Sequence, residues 1–472
     1  MSISSAFNIA RSGLSVTEGR ASLVAGNIAN AQTEGYARRD GVQVTTSSGQ
    51  GSMVDLQMAR QMDERLAGLT RGASAEVGEA EVADEILRGY LLTLGNPGDE
   101  ISPAARLAEF QAGLDLLANN PADPAAQNDL LSRAQNLVQS LNGAATALED
   151  SRVQAGASYQ QSVKDVNTAL SDIANLNEKL RTAGNDGGTI NGLMDEMNRR
   201  LDALGTQMDF TTRWESDGSL TLYTTGGTEL VHGDKSVTIT ADSNTGALFA
   251  GNVDITPKAL GARGSDSGRL AGLSQIISQD LPQMKLQLDE LARGLVRSFE
   301  AADASRAPGD AGLFTDAGAA FDPAQIDGLA GRLAINDSVD PDRGGALWRL
   351  RDGAAAAGPG EPGDSTQINS FIDVFETGFA FDATSGLNSN AKLGDFAADL
   401  VGHQHMVRVT ADAHADTARI RLVTFEDNRS GVEGVNIDTE LQKLLEIEQS
   451  YGANSQVLSS LSDMLDTLLN SV

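Results

Sequence analysis

The chain has 472 residues, 40% apolar but only 4% aromatic, with 65 acidic against 35 basic side chains and a net charge of −30. That balance argues against nucleic acid or an anionic membrane as a partner, because both need a basic footprint. The chain contains no cysteine, which removes thiolate catalysis, disulfides and Cys-based metal sites.

At the N-terminus, Ile3, Phe7, Ala10, Leu14, Thr17, Ala21, Val24, Ile28 and Ala31 step by four and three residues alternately. Such spacing lays a single stripe along an α-helix, the stripe that meets a partner in a coiled coil. No Lys or Arg precedes an apolar run here, and no stretch approaches the ~18 apolar residues of a membrane span. A chain of this kind that leaves the cell is expected to use a route without a cleaved signal. Asn30 to Tyr36 has turn composition, and Gly41-Val-Gln-Val-Thr45 alternates like a short strand. Helical periodicity runs from about Gln61 to Leu94. Ser102-Pro103 reads as an N-cap followed by a first-turn proline, opening a helix through Leu107, Phe110, Leu114 and Leu117. A further helix is expected near Ala125, a new heptad from Val163 with Asn177 as its polar member, and another helix over Leu193 to Leu204.

The pattern changes between Met208 and Pro257. Three alternating Thr- and Val-rich runs, separated by Asp217-Gly218, Gly226-Gly227 and Asn244-Thr-Gly246, predict a small β domain. Helix returns from Gly268 to about Ala302. Residues 303–366 are rich in Gly, Pro and Asp, so little core is expected there. Helix then dominates from Leu393 to Phe425, and Gly431 to Gly434 hinges into a second seam. That seam comprises Leu444, Ile447, Tyr451, Asn454, Leu458, Leu461, Leu465, Leu468 and Val472.

Neither stripe can stay unpaired in water, so the ends must pair with each other or with other subunits. The first 46 residues are slightly basic and the segment after Ser430 is strongly acidic, which favours N-to-C pairing. The expected fold is mainly α with an inserted β domain: elongated, multidomain and nested, with paired terminal coiled-coil helices. Residues 1–40 with 432–472 form the terminal assembly domain. Residues 41–206 with 265–431 form a helical-bundle middle domain carrying the irregular 303–366 segment, and 207–264 form the β domain.

Ser12-Gly-Leu14, Asn27-Ile-Ala-Asn30 and Gly35-Tyr-Ala-Arg38 resemble the N-terminal pattern of the bacterial flagellar axial proteins, with Asn27, Asn30, Gly35 and Tyr36 as its core. Ser430-Gly-Val-Glu-Gly-Val-Asn436, then Asp438, Glu440, Leu444, Gln449, Tyr451, Asn454 and Gln456 to Leu458, is similar to the hook-associated junction proteins among them. So are Ser102 to Leu117, Gly268 to Gly272 and Leu393 to Phe396. The resemblance implies a structural, non-enzymatic ring between hook and filament in the extracellular flagellum, assembled after type III export. Its implied partners are further copies of the chain, the hook protein, the distal junction protein and a cytosolic export chaperone that shields the C-terminal seam. No nucleic acid, membrane or cofactor is implied.

Rival readings are weaker. His403 and His405 lie about 200° apart on one helix, and His403 and His414 roughly 16 Å apart along it, so no metal is expected. There is no nucleophile elbow, P-loop or zinc-protease motif. The Asp195-Glu196 and Asp289-Glu290 pairs are expected on solvated helix faces. Asp337 to Asp342 lacks the spacing of a calcium loop. The remaining alternatives are another flagellar axial protein, such as a distal junction, hook or filament protein, and a secreted protein that binds a ligand through its β domain.

Overall fold

The computed structural model describes residues 3–33, 35–48, 51–184 and 187–470. Helix α1 (Ile3–Ala29) leads into a hairpin of β1 (Arg39–Ser48) and β2 (Gly51–Arg60), paired antiparallel along their full length. The short strand expected at 41–45 is thus one arm of a longer ribbon, and this ribbon packs against α1. Four helices follow: α2 (Glu64–Leu94), α3 (Pro103–Asn119), α4 (Pro124–Thr182) and α5 (Gly187–Gln207). Their starts are written in side chains. The Asp63 carboxylate accepts the N–H groups of Arg65 and Leu66, Ser102 Oγ that of Ala105, and Asp123 that of Ala125, with Pro103 and Pro124 at the first helical position. Gly95 ends α2 at φ 79°, where a Cβ would strike Ile101. The two helices expected on either side of Val163 are one 59-residue rod.

The β unit comprises β3 (Phe210–Trp214), β4 (Leu220–Thr224), β5 (Glu229–His232) and β6 (Lys235–Ser236) in one antiparallel sheet. A second sheet holds β7 (Ile239–Ala241), β8 (Leu248–Ala250) and β9 (Val253–Asp254). Its Leu220, Leu222, Val231, Ile239 and Leu248 join the same apolar cluster as the bundle. The unit is laid on α4 by two asparagines. Asn177 Nδ2 donates to the Leu220 and Gly233 carbonyls at 2.8 and 2.9 Å and its Oδ1 accepts the Leu220 N–H at 2.8 Å. Asn167 makes the same two-way clamp on Ile239. The polar member of the Val163 heptad is therefore the anchor of a strand.

Helix α6 (Arg269–Gln275) passes through a π-helical turn (Ile276–Asp280) into α7 (Leu281–Ala302). Pro282, which has no N–H to donate, follows that turn directly. Short elements succeed it: β10 (Phe314–Asp316), α8 (Leu329–Arg332), β11 (Leu333–Ile335), α9 (Arg349–Asp352), α10 (Thr366–Glu376), β12 (Phe379–Ala380) and β13 (Asn390–Ala391). The expectation of little core in 303–366 is wrong. Phe314, Leu329, Leu333, Val339 and Leu350 are buried, and the Phe299 ring of α7 lies 5.0–6.0 Å from those of Phe314, Phe371, Phe110 and Phe375. Irregular spacing hid these residues, because turns rather than a periodic element deliver them to the core.

The acidic pairs are also corrected. Asp289 is buried and accepts the Gly328 and Ala330 N–H groups at 2.8 Å, fixing the approach to α8, and burial raises its pKa. Buried Glu290 holds Arg293 and the Asp382 N–H. These carboxylates stitch loops to helices.

The long α11 (Leu393–Glu433) returns antiparallel along α2. Arg408–Asp84, Arg419–Glu81 and Arg421–Glu76 span the pair at 3.2, 2.6 and 2.6 Å, and the buried Tyr90 hydroxyl donates to Gln404. His403 reaches Gln287 while His405 reaches the Gly95 carbonyl, so their rings serve different packing contacts. Helix α11 runs eight residues past the expected Phe425, and α12 (Ile437–Leu469) closes the chain.

The terminal helix pair as a candidate assembly site

Helices α1 and α12 lie against each other, antiparallel. Gly13 faces Asn454, whose Nδ2 would sit 3.3 Å from a Cβ there, and Asn27 meets Glu440 about four turns nearer the start of α12. The Asn454 amide thus fits over a residue without a side chain. Thr17, the other polar seam member, turns its hydroxyl to the Gly13 carbonyl at 2.7 Å within its own helix. Both polar residues are accommodated without a buried orphan.

At the base of the pair, the motif residues form a hydrogen-bond hub. Asn27 is 1% exposed. Its Nδ2 donates to the Arg39 carbonyl at 2.9 Å and to Glu440 Oε2 at 3.0 Å; its Oδ1 accepts the Arg39 N–H and the Tyr36 hydroxyl at 3.0 and 2.9 Å. Both hydrogens and both lone pairs of the amide are used, a pattern that only Asn or Gln could supply. Glu440 is fully buried and takes Lys443 Nζ at 2.7 Å; Lys443 also reaches Asp40 at 3.0 Å. Burial opposes the Lys443 charge, but its bonds to Glu440 and Asp40 hold the ammonium above its ordinary pKa. Burial likewise raises the Tyr36 phenol, against the pull of Arg39, whose guanidinium lies 5.1 Å over the ring.

A second set of ion pairs joins this hub to the bundle. Asp195 on α5 binds Arg39 and Arg60 at 3.0 and 2.8 Å. Asp202 binds Arg71 and Arg429 at 2.7 and 3.0 Å, and Glu433 takes Arg429 while its carbonyl accepts the Arg38 N–H. Gly35 sits at φ 73°, with the Arg199 side chain where a Cβ would go. The Asn27–Tyr36 motif is therefore a joint between the terminal pair and the bundle, whereas Asn30 stays local, donating to the Gly26 carbonyl at 2.8 Å.

The seam residues divide. Ala10, Thr17 and Val24 on α1 are buried, Leu14, Ala21 and Ile28 are half-buried, and Phe7 is exposed. The reason is that α1 has two partners: Gly19 and Leu23 face Leu56 and Gly41 of the hairpin, which rotates the covered arc away from Phe7. On α12, Ile447 and Leu461 are buried and Asn454 and Leu458 half-buried, but Leu444, Tyr451 and Leu465 are exposed. The side chains of Ile3 and Leu468, and all of Val472, lie outside the described residues. The stripe α1 covers is Glu440, Lys443, Ile447, Asn454, Leu458 and Leu461. On a helical wheel, Leu441, Leu444, Leu445 and Tyr451 flank it on one side and Val457 and Met464 on the other, all exposed. One partner helix is too narrow to cover this apolar arc. The sequence placed Gly13 only within the Ser12-Gly-Leu14 motif and Asp195 on a solvated face, and it missed Arg60 and Lys443, of which only Lys443 carried a signal, three residues from Glu440 and four from Ile447.

The chain is similar to known flagellar proteins. A family model described as the flagellar hook-associated protein FlgK helical domain matches residues 93–312, and one described as the flagellar basal body rod FlgEFG protein C-terminal matches 432–471. Flagellar hook-associated protein 1 of Bacillus subtilis (strain 168) is 22% identical, covering 98% of this chain and 97% of its own. That of Escherichia coli (strain K12) is 24% identical, covering 99% and 100%. That of Salmonella typhimurium is 27% identical over 63% of this chain and 56% of its own. A solved structure of the flagellar hook junction protein FlgK from Burkholderia pseudomallei overlays 52% of this chain and 46% of that one, at 23% identity and a TM-score of 0.43. Over nearly its whole length the chain is similar to flagellar hook-associated protein 1, a family of structural flagellar proteins and not enzymes.

Proposed function

We propose that the chain forms the ring joining hook to filament, assembling from identical copies through α1 and α12 after type III export. The observation that carries this reading is the half-covered α12: a seam paired to α1, with leucines, a tyrosine and a methionine left in water on both flanks. Each fully buried Leu contributes about 1.5–3 kcal/mol relative to exposure, so several such residues per copy give neighbouring copies a strong reason to pack there. Before export the same surface invites premature association, which a cytosolic chaperone covering α12 would prevent. The bundle and β unit form the outer collar, and the hub holds collar and inner helices at a fixed angle. The hook protein and the distal junction protein are the axial neighbours in this arrangement.

Microscopy of a strain lacking this gene tests the reading. Hooks without filaments, with unassembled filament protein in the medium, are expected; filaments attached as in the parent would overturn it.

A further inference from the structure

Leu260 is completely exposed, at the tip of a short turn between β9 and α6. The turn is held rigid. Lys258 adopts φ 57° without being glycine and is tied to Glu79 at 2.6 Å; Thr224 and Thr228 hydroxyls donate to the Arg263 carbonyl at 2.6 and 2.9 Å. A pre-ordered leucine loses little entropy on docking, which is where binding energy is otherwise spent. Arg263 nearby in the turn is exposed and has no carboxylate partner among the described residues.

Elsewhere, a groove of about 680 Å³ opens between α4, α7 and the approach to α8, floored by Leu148, Ile277, Leu281, Leu288 and Ala330. Its rim carries Asp150, Glu149 and Asp327; Arg152 and Lys285 neutralise the last two, leaving exposed Asp150 unpaired among the described residues. An apolar knob beside a free cation and an apolar groove beside a free carboxylate are complementary in polarity and charge. Within one molecule the loop is pinned away from the groove, at Lys258 to Glu79 of α2 and at Arg263 to Thr224 and Thr228 of the β unit.

We propose that Leu260 of one copy seats in this groove on a second copy, with Arg263 opposite Asp150. The contact is heterologous: different surfaces meet, so repetition gives a ring or helix rather than a closed dimer. It rests on the assembly reading above, because a contact this small acts on copies already brought together by their terminal helices.

The native chain has no cysteine, so thiol cross-linking is clean. At Gly331, in the groove, an added Cβ meets only Ala145 at 3.6 Å, an ordinary contact. Flagella isolated from a strain carrying L260C/G331C, treated with a short bismaleimide, should give a ladder of multimers, while either single variant gives nothing beyond a dimer. A double variant present at the wild-type amount but giving no ladder overturns the proposal. Adding R263E should reduce the ladder several-fold and D150K should restore it; a ladder unmoved by R263E removes the assigned ion pair. Absence of the unaltered chain from isolated flagella would instead overturn the assembly reading itself.

Discussion

The rod α4 and the terminal helix α12 carry the same heptad rhythm, yet one is finished and the other is not. In α4, Val163, Val166, Leu170, Ile173 and Leu180 are all buried, and Asn177 is spent on a strand. In α12, Leu444, Tyr451 and Leu465 of the matching stripe remain in water. Periodicity states that a face needs partners; it does not state whether the same chain supplies them. Where helices, sheet and turns crowd in from several sides the face closes. Where a single helix and a hairpin are available, it stays open for other copies.

This contrast can be broken or sharpened by substitution. Phe299→Ala removes the ring at the centre of the aromatic cluster and should cost the bundle about 3–5 kcal/mol, read as a fall in the main thermal transition; an unchanged transition would mean the bundle is not the closed unit described. Asn27→Ala removes the amide's bonds to Oε2 of buried Glu440, whose other oxygen keeps Lys443, and to the Arg39 backbone, at about 1–3 kcal/mol for each group stranded. The loss should appear as faster hydrogen exchange in α12 with α4 unaffected. Equal loosening of both would show that the hub does not separate two units.

Asp280 gives a pH-dependent test within the bundle. Burial raises its pKa to about 6, against a Gln275 hydrogen bond and the Lys258 charge. The folded chain therefore holds this proton more tightly than the unfolded one, and the group's contribution to stability falls as pH rises from about 4 through about 6. Asp280→Asn should be more stable than the parent by about 1–3 kcal/mol at pH 8, with the gap closing below pH 4; a gap independent of pH would contradict the assignment. The smallest effect on the monomer is expected from Leu445→Ser on the open flank of α12. It should change monomer stability by less than about 0.5 kcal/mol while lowering incorporation into flagella, and normal incorporation would argue that this flank meets nothing.

Much of this was legible in the sequence. The cap at Ser102-Pro103, the turns of the β unit and the N-to-C pairing of the ends follow from local chemistry and charge. Three features were not. The core residues of 303–366 arrive on turns without a period. Asp195, Asp289 and Glu290 look like solvated helix charges until their partners, more than 35 residues away for Asp195–Arg60 and Asp289–Gly328, are in place. The α1 seam is rotated because the hairpin claims part of its circumference, and pattern alone cannot say how many neighbours a helix has.

The central claim is that the flanks of α12 are covered by other copies. Val457→Cys places a lone thiol on one flank, half exposed in the single chain. Maleimide labelling should be rapid in the purified monomer and at least several-fold slower in isolated flagella. Equal rates in both would contradict the account.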